Sequence, residues 1–379
     1  RAVHALIVDH GLRRESAQEA SRAAAIARDL GARPRVLRWS APRPGQARAR
    51  TARHRLLAEA ARSLGAGRLF LAHTLDDQRE TAFMRERRGA GARGLAAMAR
   101  LAPSPVWPEG RDLMIARPFL DVTRAALRAR LTRLGADWID DPSNADPAYE
   151  RVRVRGDLAG LEPHALKALD ARIAAARAFE THRRAEAAAL CESAASAQGW
   201  GGFALDRARW RAAPGPVVLR ALEALIAAAA GRPDAPAPDA ARIFSVALER
   251  AEPATAGGAM LTACAVIGRD PGAAGRADGA AAARPLTLRP AQGGVFDGRF
   301  DVQAGAEPVT VRALGKPAPA IDGPPAVLRP GLAAMLDRRG ARLSVAGLDA
   351  GADARATWLG EDALSRMLYH AALPACFDA

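Results

Sequence analysis

Residues 68 to 81 read Arg-Leu-Phe-Leu-Ala-His-Thr-Leu-Asp-Asp-Gln-Arg-Glu-Thr, an apolar run that stops at His73 and gives way to three carboxylates and an amide. A buried strand that delivers polar groups at its carboxyl-terminal tip has this form. Thr74 followed three residues later by Asp77 has the spacing of a capping box, so a helix is expected to start there. On that helix Asp76 and Glu80 lie four apart and Asp77 and Glu80 three apart, which lets all three acids face one volume. They suit a magnesium ion or a protonated amine, and acids in a first turn also answer the helix dipole.

The same switch occurs near the start, where the apolar run Val3 to Val8 breaks at Asp9-His10-Gly11. Glu15 to Leu30 is helical in period and stops at Gly31, Pro34 to Trp39 reads as a second strand, and Arg48 to Leu64 is helical before Gly65. With Arg68 to Ala72 as third strand and Thr74 to Arg87 as third helix, the expected fold is α/β, a Rossmann-like parallel sheet wrapped by helices with binding at the strand tips. The glycines of Arg88 to Gly94 permit close backbone approach to a ligand and equally suit a flexible connector. Leu113 to Ala116, followed by Arg117-Pro118, reads as a strand leaving the sheet, and Thr123 caps a helix to Leu134.

After the turn-rich Trp138 to Asn144, Tyr149 with Arg151, Arg153 and Arg155 is read as an extended segment. Its alternate arginines would share one face, suited to a phosphate backbone or to a solvated basic edge. Glu162 to Arg232 is read as helical with breaks at Gly199 to Gly202 and Pro214 to Pro216. A linker at Pro233 to Pro238, a helix over Asp239 to Ala251, and short strands within 257–269 and 285–311 follow. The expected domains are 1–158, 159–255 and 256–379.

At 379 residues and 49% hydrophobic content the chain can bury more than one core. No apolar run approaches the ~20 residues of a membrane span and no signal-peptide pattern opens the chain, so a cytosolic protein without a membrane partner is expected. Cys191, Cys264 and Cys376 are dispersed and fit neither a metal site nor a disulfide framework. The formal charge of +14 points to a polyanionic partner. Lys167 and Lys316 are the only lysines, however, and a chain so rich in Arg, Ala, Gly and Pro can owe its basicity to the base composition of its gene.

Taken together, several segments resemble the tRNA(Ile)-lysidine synthetase family of PP-loop ATP pyrophosphatases. They are Val8 to Arg13, Gln46, Ala52-Arg53-His54-Arg55, Ala72-His73, Asp76-Asp77-Gln78, Glu80-Thr81, Met84-Arg85, Arg88-Gly89, Gly94-Leu95-Ala96, Met98, Arg117-Pro118, Asp141 to Asn144 and Tyr149 to Arg155, with Gly257 to Ala259 and Asp297 to Phe300 further on. The resemblance implies a ligase that uses ATP, with Mg2+, to adenylate the C2 oxygen of the wobble cytidine in CAU-anticodon tRNA(Ile). Free L-lysine then displaces AMP through its ε-amine.

By resemblance Arg53, His73, Asp77 and Glu80 are the catalytic group. Asp77 and Glu80 hold lysine, Arg53, His73, Asp76 and Gln78 bind ATP, and Arg88, Tyr149, Arg151, Arg153 and Arg155 bind tRNA. Thr74 stands where the family usually has a second histidine. The family's opening strand and Ser-Gly-Gly-x-Asp-Ser phosphate loop have no counterpart in this sequence, an expected loss of roughly 25 to 35 residues. An amino-terminally truncated chain of impaired activity is therefore expected. A PP-loop enzyme of the thiolating or amide-forming kind, or a tRNA-binding remnant without catalysis, are the other readings.

Overall fold

The computed structural model describes residues 2–11, 15–40, 45–136, 138, 148–232, 234, 236–275, 283–348 and 354–368, except the side chain of Gln46. Asp141 to Asn144 and Cys376, singled out above, lie outside the described residues. The chain divides into two units, one up to His182 and one from Arg183.

In the first unit strand and helix alternate as their periods require: β1 (His4–Asp9), α1 (Ser16–Asp29), β2 (Arg33–Arg38), α2 (Gln46–Ser63), β3 (Arg68–Phe70) and α3 (Leu75–Arg87). Next come α4 (Ala92–Leu95), β4 (Leu101–Pro103), β5 (Met114–Ala116), α5 (Arg124–Arg133), α6 (Glu150–Ala159) and α7 (Pro163–Ala194), which runs on into the second unit. β1 and β2 pair in parallel, as do β3 and β5, whereas β4 joins β5 antiparallel. The result is an α/β domain with mixed rather than purely parallel pairing.

Two expectations are corrected here. The strand over Leu113 to Ala116 does not leave the sheet: β5 is central in the order β3-β5-β4, with Ile115 and Ala116 fully buried. The segment Tyr149 to Arg155 is not extended. Its Arg-Val-Arg-Val alternation imitates a strand, but Val154 and Leu158, four apart, seat one helical face of α6 on Ala82, Leu169 and Ile173.

α2 serves both sheets. Leu57 and Ala60 pack with Leu6, Val8 and Leu37, Ala58 and Ala61 pack with Val106 and Leu113, and Leu69 of β3 belongs to both clusters. The packing half of α2 is thus fixed, and its amino-terminal half is free to present side chains elsewhere.

The second unit opens with β6 (Ala195–Gln198) and β7 (Gly202–Leu205), so the region expected to be helical from Glu162 to Arg232 contains a hairpin. Then follow α8 (Arg207–Ala212), α9 (Gly215–Ala230), α10 (Pro238–Arg250), β8 (Ala254–Ala256), β9 (Ala259–Leu261), β10 (Val266–Arg269) and α11 (Pro271–Ala274). β6 and β7 complete an antiparallel sheet, β6-β7-β10-β9-β8, and that tertiary pairing fixes Ala-rich residues as strands.

Beyond it, β11 (Leu286–Leu288), β14 (Val309–Ala313), β15 (Ala333–Leu336) and β16 (Arg342–Val345) form one sheet. β12 (Gly293–Phe296), β13 (Phe300–Ala304) and β17 (Ala354–Trp358) form another, and α12 (Gly360–Met367) follows. Leu288, Phe296, Phe300, Val302, Val309, Val311 and Met335 share a core.

The Asp297-Gly298-Arg299-Phe300 match is structural in this unit. The Asp297 side chain, 7% exposed, accepts from Arg269 Nε at 2.8 Å and from Arg299 Nε at 2.9 Å. A Cβ on Gly298 would meet the Gly231 carbonyl oxygen at 2.4 Å, so only glycine permits the approach.

Candidate active site

The strand tips and helix starts of the first unit surround a cavity of about 730 Å³. His10 comes from the tip of β1, Arg50 and Arg53 from α2, His73 from the tip of β3, Arg85 and Arg88 from the end of α3, and Tyr149, Arg151 and Arg155 from α6 and the residue before it. Helical spacing explains the contribution of α2, since Arg50, Arg53 and His54 are three and four apart and share a face. Six arginines line the cavity against one carboxylate, Glu150, which is itself ion-paired with Arg88.

α3 starts as its sequence requires. Thr74 caps it, accepting from Asp77 N–H at 3.5 Å, while Asp77 Oδ2 accepts from the Thr74 N–H and hydroxyl, each at 2.8 Å. Asp77 Oδ1 faces the other way, 3.1 Å from Arg151 Nη2 and 3.6 Å from Arg124 Nη2. Glu80 is 1% exposed, accepting from Arg151 Nε at 2.5 Å and from Arg155 Nε at 2.6 Å. The two acids are therefore engaged by α6, whose Arg151 and Arg155 sit one turn apart.

Burial alone would raise the Asp77 carboxyl. The bonds from Thr74 and the charges of Arg151 and Arg124 outweigh it and hold the group below its usual value. Burial pushes His73 down to about 4, with repulsion from Arg117 adding to it, and pushes His54 to about 4, with Arg50 and Arg53 adding. Both rings are neutral at pH 7 and can donate one hydrogen bond without adding charge. His54 is buried, and neither of its ring nitrogens has a hydrogen-bond partner among the described residues. Burial also lowers Arg53, Arg50 and Arg85, and brings Arg117 to about 10. A cationic group packed this densely is stabilised by an anion.

Of the predicted residues, Arg53, His73, Arg88, Tyr149, Arg151 and Arg155 meet at the cavity, and Asp77 and Glu80 stand behind Arg151 and Arg155. Asp76 is turned elsewhere, accepting from the backbone N–H of Arg124 at 2.6 Å. Gln78 is fully buried, and its amide clamps Met98, donating to the carbonyl at 2.8 Å and accepting from the N–H at 2.9 Å. Arg153 is exposed on α6 and donates to the Ala148 carbonyl. No role follows from the sequence for Arg50, His54, Arg85, Arg117 or Arg124. The 50-53-54 spacing was the available signal for two of them, whereas Arg124 has none. Among the described residues no three acidic, cysteine or histidine side chains gather in metal-ligating geometry.

The family model described as a PP-loop domain matches residues 1–161, which contain every residue of this cavity. A tRNA(Ile)-lysidine synthase of Hyphomonas neptunium is 48% identical over 155 residues, 41% of this chain and 42% of its own. Those of Rhizobium meliloti and Caulobacter vibrioides are 37% and 38% identical over 330 and 323 residues, covering 82% and 83% of this chain and 68% and 70% of theirs. The chain belongs to the tRNA(Ile)-lysidine synthase family. The alignment to the Hyphomonas member spans less than half that relative's length, whereas the two longer alignments reach into the second unit. The cationic cavity of this chain thus lies in its PP-loop domain, and the chain is related to ATP-dependent tRNA-modifying ligases. No described helix is long and apolar enough to cross a membrane.

Proposed function

We propose that this chain ligates L-lysine to C2 of the wobble cytidine of CAU-anticodon tRNA(Ile) at the expense of ATP. The observation that carries this reading is an arginine-lined cavity whose Arg151 and Arg155 are bonded in turn to Asp77 and Glu80 of the capped helix α3. Adenylation needs donors for a phosphate and a departing pyrophosphate, which Arg53, Arg50 and neutral His73 supply from α2 and the tip of β3. Ligation needs an amine held at one end and neutral at the other. Asp77 is suited to the α-ammonium, with Glu80 behind it, and the surrounding guanidinium charge disfavours protonation of the ε-amine, which leaves a free lone pair for attack. Arg88, Tyr149 and Arg153, at the rim and on the exposed face of α6, are suited to the tRNA backbone. Mg2+ enters with the nucleotide, bound to its phosphates and water, and no step is assigned to a protein-held ion.

The test is ATP-dependent incorporation of labelled lysine into CAU-anticodon tRNA(Ile). Incorporation should require all three substrates, and Asp77→Asn should lower it on the order of 100-fold by misplacing the amine. ATP consumption on this tRNA that is indifferent to lysine would point to a different acceptor chemistry and overturn the reading.

A further inference from the structure

The two oxygens of Asp77 have different commitments. Oδ2 is held by the helix cap through two 2.8 Å bonds from Thr74, so an incoming ammonium has only Oδ1 to bind, and Arg151 Nη2 already donates there at 3.1 Å. Arg151 is also the member of the α6 pair that reaches both acids, since its Nε donates to Glu80 Oε2 at 2.5 Å. Its side chain is 37% exposed, against 14% for Asp77 and 1% for Glu80, and it lines the same cavity as Arg50, Arg53 and Arg85. It therefore lies between the carboxylates and the place where a phosphate must sit.

Charge balance then decides how ligands enter. An ammonium arriving alone has to displace a guanidinium from Asp77 in a cavity already crowded with arginine. A phosphate arriving alone attracts Arg151 and leaves Oδ1 to Arg124, 3.6 Å away. With both present, the ammonium takes Oδ1 and the guanidinium meets phosphate, so that the ammonium, Asp77 and Arg151 each keep a partner. We propose that Arg151 is a positioning residue that couples the two small substrates: it yields Asp77 Oδ1 to the amino acid and carries its guanidinium to the nucleotide phosphates, so that each ligand strengthens binding of the other. This rests on the lysine-and-ATP reading above, and linkage requires the strengthening to be equal in both directions.

Calorimetric titration tests it, with L-lysine added to this chain in the absence and presence of saturating α,β-methylene-ATP, and then in the reverse order. Each ligand should bind at least about fivefold more tightly with the other present. In Arg151→Met, lysine alone should bind as well as or better than before, because its competitor is gone, and the coupling factor should fall to near one. Arg155→Met loosens the other side of Glu80 and should keep the coupling. The inference is overturned by independent binding in the parent chain, by weaker lysine binding in Arg151→Met, or by equal loss of coupling in Arg155→Met, which would mark a general loosening of α6. If neither ligand binds the parent chain, the proposed function falls with it; if both bind independently, only the coupling does.

Discussion

Glu80 and Asp77 differ in what surrounds them, and so do the two histidines nearby. His54 and His73 are held near 4, by burial first and by arginine neighbours second, whereas a histidine in the unfolded chain titrates near 6.5. Between those values the unfolded chain takes up protons that the folded one refuses. Stability is thus complete above about pH 6.5 and declines as the pH falls toward about 4. Asp77 adds a separate loss, because its carboxyl is depressed in the fold and gives up its contribution only below its ordinary value near 3.8. Urea midpoints measured across this range should fall with acid, and His54→Gln should flatten part of the slope; a parent midpoint level from pH 6.5 to about 4.5 contradicts the account. Arg117 and His54 are named in the sequence only within family-like segments and without a role, since nothing local distinguishes a buried arginine or histidine from the many exposed polar residues of this chain.

Among the elements, α3 depends most on its first residues. Thr74→Ala removes the cap and one partner of Asp77 Oδ2, and should cost about 1 kcal/mol. Thr123→Ala at α5 should cost about the same without touching Asp77. Thermal melts would rank both, and lysine binding should suffer only in the first. The start of α3 was legible because a cap, an apolar break and a carboxylate pattern are all local signals, as were the alternating elements up to residue 87. α6 was not legible. The alternating Val152 and Val154 carry period two, and what decides for helix is the meeting of Val154 and Leu158 with α3 and α7, and of Arg151 and Arg155 with Glu80. The hairpin β6-β7 was missed for the same reason, β7 being set by pairing with β10 and β6 by pairing with β7. Gln78 has a site residue's sequence context but spends its amide on Met98 twenty residues away.

For the molecule as described, the first unit holds two small sheets, and among the described residues no strand pairs with the second edge of β1 or of β3. Phe70 of β3 is 59% exposed beside that edge. Open ladders with apolar side chains invite strand pairing between copies. This chain should therefore self-associate as concentration rises, and Phe70→Lys should reduce the effect; sedimentation that shows monomer at every concentration rules it out. α2, packed on both sheets through Leu57 to Ala61, has one more consequence. From Ala61 to Arg50 is about 16 Å at the helical rise, so a tilt of about 4° moves the guanidinium end by about 1 Å. Displacements of that size cost on the order of 100-fold in rate when reactants must be aligned. The helix works as a lever arm whose fulcrum is the alanine-rich core, and a methyl group added at Ala58 or Ala61 would mis-aim the arginines at its far end.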